Sequence, residues 1–270
     1  MKMNNTQLTP VDNFKQVLNS NDIKARLKNS LKNNWTQFST SMLDLYSGDS
    51  YLQKCDPYAV AVECVKAATL DLPISKSLGF AYVVPYKSVP TFIIGYKGLI
   101  QLAQRTGQYK TINADIVYEG ELAGYDKLSG MIDISGEKIL DDEGKPVPVG
   151  YFAYFKLVNG FEKMLYMSKE EVEEWRDKYS PSGKSGYSPW KTEFDKMALK
   201  TCLRRLLSTY GIMSTEMTSA LAQDSFETNA QKRAEEKVQS NANSTVIDLD
   251  RNTGEVVEKP TETVRTGPDF

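Results

Sequence analysis

The 270-residue chain contains no histidine. That absence removes Ser-His-Asp and Cys-His nucleophilic catalysis, together with the commonest metal ligand. Its three cysteines, Cys55, Cys64 and Cys202, lack CxxC spacing, so they indicate neither a disulfide framework nor a zinc site. A metal would have to bind through carboxylates. No apolar run approaches the roughly 20 residues that a membrane helix needs. The opening MKMNNTQLTPVDNF has no apolar segment of the secretory type, and the expected location is cytoplasmic.

The most informative absence is local. From Leu72 to Ala114 there is no aspartate or glutamate, although 35 acids in 270 residues would place five or six in such a stretch. The segment carries Lys76, Lys87, Lys97, Arg105 and Lys110 instead, interleaved with Phe80, Tyr82, Tyr86, Phe92, Tyr96 and Tyr109. Aromatic rings alone are ordinary core. Rings among unopposed cations suit a polyanion whose phosphates pair with the charges and whose bases stack.

The net charge of −2 hides this segregation. Residues 1–71 sum to +1, 72–114 to +5, 115–187 to −6, 188–223 to +2 and 224–270 to −4. Blocks of opposite sign allow a positive groove on an acidic protein.

The fold class expected is α+β: an antiparallel core, an N-terminal helical part and a disordered C-terminal tail. Ile23, Leu27, Leu31, Trp35, Phe38, Met42 and Leu45 recur at steps of three and four, predicting one amphipathic helix over about 22–46. Asp56-Pro57 reads as the cap and first turn of a helix over 57–69. Phe80–Tyr86 and Thr91–Ile94 form a hairpin, followed by a helix over Tyr96–Arg105 that Thr106-Gly107 stops. Strands follow at 112–118, 131–134, 151–158 and 161–167. The second and third of these flank an acidic turn at 141–144, and the last two form a hairpin across Asn159-Gly160. Ser168 with Glu171 makes a capping box. Tyr179–Ser188 reads as a loop and Trp190–Tyr210 as one long helix. The domains expected are a helical region 1–71, an α+β core 72–223 that carries the cationic segments, and an acidic tail 224–270 too polar to order itself.

Two helices carry cationic strips. At 100° per residue, Lys97, Gln101, Gln104 and Arg105 share about a third of a turn of an otherwise apolar helix. Lys196, Lys200 and Arg204 are spaced i, i+4, i+8, and Trp190, Phe194, Met197 and Arg205 make a second face. A charge run is usually a solvated face, but two such strips beside the acid-free hairpin form a pattern.

Three other motifs carry less. Gly183-Lys184-Ser185 ends like a P-loop, yet Lys178 stands where the first glycine belongs and no strand precedes it. Asp133 with Glu143 and Lys145 imitates a two-metal nuclease site, but in a turn. Glu119 and Glu121 could bind a divalent ion on a strand edge.

The runs Leu78-Gly-Phe-Ala-Tyr-Val-Val-Pro-Tyr-Lys87, Ile94-Gly-Tyr-Lys-Gly-Leu-Ile-Gln-Leu-Ala103 and Arg105-Thr-Gly107 resemble the RecT family of phage single-strand annealing proteins. So do Val117-Tyr-Glu-Gly-Glu121, Trp190-Lys-Thr-Glu-Phe194, Met197-Ala-Leu-Lys-Thr201 and Leu203-Arg-Arg-Leu206. The resemblance covers roughly residues 10–225 and is close to Gram-positive phage and prophage members; it implies similarity to lambda Red beta and a compact antiparallel β-β-β-α-type core shared with it. It implies binding of single-stranded DNA and ATP-independent annealing during phage homologous recombination, without covalent chemistry. It implies self-assembly into rings or helical filaments, and partnership with a 5′→3′ exonuclease and a host single-strand binding protein. No cofactor is called for, although a divalent ion such as magnesium is compatible. The rival readings are a passive single-strand coat and a metal-dependent nuclease.

Annealing requires that two repelling phosphate chains be neutralised while Watson–Crick edges stay free, so contacts should fall on the backbone. The candidates for phosphate contact are Lys76, Lys87, Lys97, Arg105, Lys191, Lys196, Lys200, Arg204 and Arg205. Gln101 and Gln104 suit phosphate or sugar, and Tyr86, Tyr96 and Phe194 suit bases. Adjacent Arg204 and Arg205 point about 100° apart on a helix, so one of them could instead serve the core.

Overall fold

A computed structural model describes residues 8–86, 88–180 and 188–224. The chain opens with α1 (Pro10–Asn19), which Thr9 caps by accepting the Asp12 N–H, and α2 (Asn21–Leu31), capped by Ser20. The helix expected over 22–46 is broken. Lys32 adopts φ 48°, a 3-10 turn fills Lys32–Asn34, and the chain restarts as α3 (Trp35–Ser47). The break lets α3 return against α1, where Phe14 stacks on Tyr46 with centroids 4.1 Å apart. Ile23 and Leu27 on α2 are fully buried, and α2 packs against α4 (Pro57–Thr69). α4 starts where Asp56-Pro57 predicts, with the Asp56 carboxylate accepting the Ala59 N–H at 2.8 Å.

α4 supports the hairpin of β1 (Ala81–Tyr86) and β2 (Val89–Ile94), paired from Ala81↔Ile94 to Tyr86↔Val89. Glu63 on α4 accepts the Phe92 N–H at 2.9 Å and anchors the hairpin. α5 (Tyr96–Arg105) follows at once. A Cβ at Gly95 would collide with the Gly79 carbonyl, and one at Gly98 with the Phe80 carbonyl. The close approach permitted by these glycines is therefore used by the protein's own backbone.

β3 (Tyr109–Tyr118) leads to a small hairpin, β4 (Gly124–Asp126) with β5 (Met131–Asp133). β6 (Pro148–Leu157) and β7 (Glu162–Ser168) complete an antiparallel sheet in the order β3-β6-β7. β5 thus pairs with β4 rather than across the acidic turn, which is closed by a single bridge, Leu140↔Pro146. The capping box at Ser168 and Glu171 starts α6 (Lys169–Tyr179). The helix expected over 190–210 is divided at Glu193 into α7 (Pro189–Thr192) and α8 (Phe194–Tyr210). The residue has φ −144° and ψ 49°, outside helical values. α9 (Thr215–Asp224) was not anticipated.

α8 lies on the three-stranded sheet. Its Ala198, Cys202, Leu203 and Leu206 and the sheet's Tyr151, Ala153 and Phe155 are completely buried. Each fully buried Leu or Phe contributes about 1.5–3 kcal/mol. Tyr151 donates to Asp195 at 2.5 Å, fixing the first turn of α8 over β6. Buried side chains from α1 to α9 form one connected apolar cluster. The architecture is the α+β arrangement expected, with N-terminal helices and an antiparallel β-β-β-α unit. The proposed P-loop imitation, Lys87 and residues 225–270 of the expected tail lie outside the described residues. Among those described, no helix is long and apolar enough to cross a membrane.

Candidate nucleic-acid interface

α8 separates two cavities that share Met197 and Lys200. The first, about 280 Å³, lies between the β1-β2 hairpin, the start of α5 and the α7-α8 junction. Lys76, Tyr82, Tyr96, Lys196 and Lys200 line it, with Glu193 as its one carboxylate. The second, about 500 Å³, lies between α6, α8 and α9. Arg176, Lys200, Arg204 and Arg205 line it, and among the described residues no carboxylate does. Among the described residues the walls together hold six cations against one acid, although several of these cations already have partners, Arg176 with Asp177 at 2.9 Å among them.

Lys76 donates to Asp49 at 2.6 Å, and Lys196 pairs with Glu193 at 2.8 Å. The Glu193 hydrogen bond lifts the Lys196 ammonium above its ordinary pKa. Burial pushes the Tyr82 phenol up against the pull of Lys196 and Lys200, so it remains a protonated donor at neutral pH. Lys200, only 5% exposed, forms the common wall. Arg204 donates to the Leu221 carbonyl at 3.3 Å on the α9 side. Arg205 lies 4.6 Å from the Trp175 ring on the α6 side and donates to the Met167 sulfur at 3.1 Å. The two arginines thus diverge as their positions dictate, yet they reach opposite walls of one cavity.

The remaining candidates fall elsewhere. Lys97 and Gln104 are exposed on α5 and line neither cavity, nor does half-buried Gln101, whose Oε1 has no donor. Lys97 makes no ion pair among the described residues. Lys191 is exposed on α7. Tyr86 ends β1 at the hairpin tip, next to Lys87. Phe194 packs against Trp190 and Tyr151, with centroids 5.7 and 6.0 Å away, and acts as a core ring at the base of α8. Arg105 is already occupied. It donates to the Leu70 and Asp71 carbonyls at 2.6 and 2.8 Å, closing the end of α4.

Sequence reasoning missed Tyr82, Trp175, Arg176 and Trp190 as lining residues. Trp175 and Arg176 lie in the block that sums to −6, and its net charge concealed them. The only available signal was Trp175 with Tyr179 at i, i+4, which places two rings on one face of α6; their centroids are 4.1 Å apart.

The metal-site imitations do not assemble. Asp133 accepts the Ser135 N–H at 2.9 Å, Glu143 pairs with Lys145 at 2.6 Å, and Glu121 pairs with Lys138 at 3.2 Å. Among the described residues, no group of three or more Cys, Asp or Glu side chains is placed to hold a metal ion.

The RecT family model matches residues 28–241. The chain belongs to the RecT family. Its relatives include the uncharacterized protein YqaK of Bacillus subtilis (strain 168), 42% identical over 248 residues that cover 92% of this chain and 83% of YqaK. Protein RecT of Escherichia coli (strain K12) is 32% identical over 187 residues, 65% of this chain and 66% of that protein. RecT-family membership points to DNA recombination by single-strand annealing.

Proposed function

We propose that this protein binds single-stranded DNA along the α8 track and anneals it to a complementary strand without ATP. The observation that carries the reading is the charge of the joined cavity walls: Lys76, Arg176, Lys196, Lys200, Arg204 and Arg205 against Glu193. Screening phosphates on such a surface lowers the repulsion between two strands without touching their pairing edges. Tyr82 and Tyr96 offer rings to bases entering from the hairpin side. Lys97 and Lys191 extend the cationic surface along α5 and α7, and Gln101 and Gln104 add neutral hydrogen-bonding groups beside Lys97. Self-assembly into a ring or filament would join successive tracks. In this reading the acidic segment 224–270 docks the exonuclease or the single-strand binding protein, in the cytoplasm of a host carrying the phage or prophage.

Mixing two complementary labelled oligonucleotides with the protein, without nucleotide, tests the reading. Faster pairing with retention of the product supports annealing. Slower pairing means a passive coat. Shortened strands in magnesium or manganese mean a nuclease. Removal of residues 225–270 should leave strand binding intact and weaken capture of partner proteins.

A further inference from the structure

The cavity between α6, α8 and α9 differs in character from the hairpin side. It is the larger of the two and lies within the range of small-molecule pockets. Among the described residues its charged lining is entirely cationic, and an extended strand lying in an open groove does not need a recess of that size. One wall is aromatic: Trp175, with Arg205 against its ring and Tyr179 beside it, and Tyr179 is 43% exposed. Trp190, 5% exposed, also lines the cavity, and its indole N–H is buried with no acceptor. A buried donor without an acceptor costs about 1–3 kcal/mol, a deficit that an incoming oxygen would remove.

We propose that this cavity is a pocket for one nucleotide unit, its phosphate on the arginine wall and its base against the Trp175–Tyr179 rings. Arg176, whose Nε donates to Asp177 at 2.9 Å, and Arg205 reach it from two helices, and the N–H groups these contacts leave over suit the several oxygens of one phosphate. The α6 rings supply a flat surface that any base can use. Two sources share this chemistry: a free nucleotide, or a nucleotide of the bound strand turned out of the track at Lys200. The inference takes the strand as the source and in that respect rests on the function proposed above.

The test uses the full-length protein and its tryptophan emission. Titration with deoxyadenosine 5′-monophosphate is expected to quench emission saturably, while deoxyadenosine, lacking phosphate, does so at least tenfold more weakly. Arg205→Met should weaken nucleotide binding at least tenfold. Tyr179→Ala, on an exposed ring, repeats the measurement if the arginine variant fails to fold. A single 2-aminopurine inside an oligothymidylate strand should brighten on binding, and the monophosphate should reverse that change. Nucleotide binding without any effect on the 2-aminopurine signal refutes the strand as source. Equal quenching by nucleoside and nucleotide, or unchanged nucleotide affinity in both folded variants, overturns the pocket. Oligonucleotide anisotropy measured in parallel separates the two claims. Strand binding without nucleotide binding sinks the pocket alone, and nucleotide binding without strand binding sinks the annealing reading together with the strand as source, while the pocket itself stands.

Discussion

Glu193→Gln should make the protein bind single-stranded DNA more tightly. Glu193 is, among the described residues, the one carboxylate in the walls of the two cavities, and it holds Lys196 at 2.8 Å with both side chains 53% exposed. It makes no side-chain capping bond at the start of α8, and an exposed pair of this kind contributes only about 0–1 kcal/mol, so the fold should be nearly unaffected. Glutamine keeps the shape and removes the competitor for Lys196. If the released ammonium takes one more phosphate, the slope of log affinity against log salt steepens by about 0.7. Relative to a 1 M reference, that slope is worth about fivefold at 0.1 M salt, or roughly 1 kcal/mol. Fluorescence anisotropy of a labelled oligothymidylate across a salt series measures both quantities. In a Lys196→Ala background the gain should vanish, because the substitution acts only through that lysine. An unchanged slope in the single variant, or the same gain with and without Lys196, would refute the reasoning.

Lys97→Ala should lower the salt slope by about 0.7 and leave the melting temperature unchanged; unaltered affinity would remove the α5 strip from the interface. Arg105→Ala should behave oppositely, costing about 1–3 kcal/mol of stability through its lost carbonyl bonds while the folded variant binds DNA normally. Normal melting with weakened DNA binding would reverse that assignment. Asp49 should make stability acid-sensitive. Burial alone would raise its pKa, but the Lys76 ammonium and the Leu52 and Tyr51 amides outweigh it and hold the carboxyl below its ordinary 3.8. The folded state therefore binds this proton less tightly than the unfolded chain. The stabilisation is complete above the ordinary value and is lost as pH falls through the lowered one. Asp49→Asn should be less stable at neutral pH and show a shallower acid decline; an unchanged decline in acid melting curves counts against the pair.

The elements that could be read from sequence are those with signals inside one turn. Asp56-Pro57 starts α4, Ser168 with Glu171 starts α6, and Asn159-Gly160 turns β6 into β7 with Gly160 at φ 93°. The breaks could not be read. Leu31 to Trp35 and Trp190 to Phe194 keep helical spacing straight through Lys32–Asn34 and Glu193, so the apolar stripe continues where the helix does not. Neither break has a glycine or proline within it. Their cause is the need to fold α3 back on α1 and to set α8 on the sheet, which is tertiary. α1 was legible in principle, since Thr9-Pro10 is a cap followed by a first-turn proline, but the apolar stripe that was followed began later.

The candidate site was half legible for a related reason. A charge count along the chain survives folding as net charge, and the i, i+4 repeat of Lys196, Lys200 and Arg204 survives as one helix edge. Pairing does not follow from either. The segment without acids in sequence meets acids in space: Asp49 takes Lys76 from 27 positions away, and Glu63 takes the Phe92 amide from 29. Arg105, the most basic residue of its strip, is drawn to two carbonyls at a helix end. Conversely, the block with the strongest negative sum supplies Trp175 and Arg176 to the most cationic cavity: four of the five acids of α6 lie before Trp175, and the fifth, Asp177, pairs with Arg176 at 2.9 Å without lining the cavity itself. Regional charge therefore indicates which parts of a chain can meet a polyanion. Which cations do so is decided by helix ends, cross-chain carboxylates and the rings that hold a guanidinium in place.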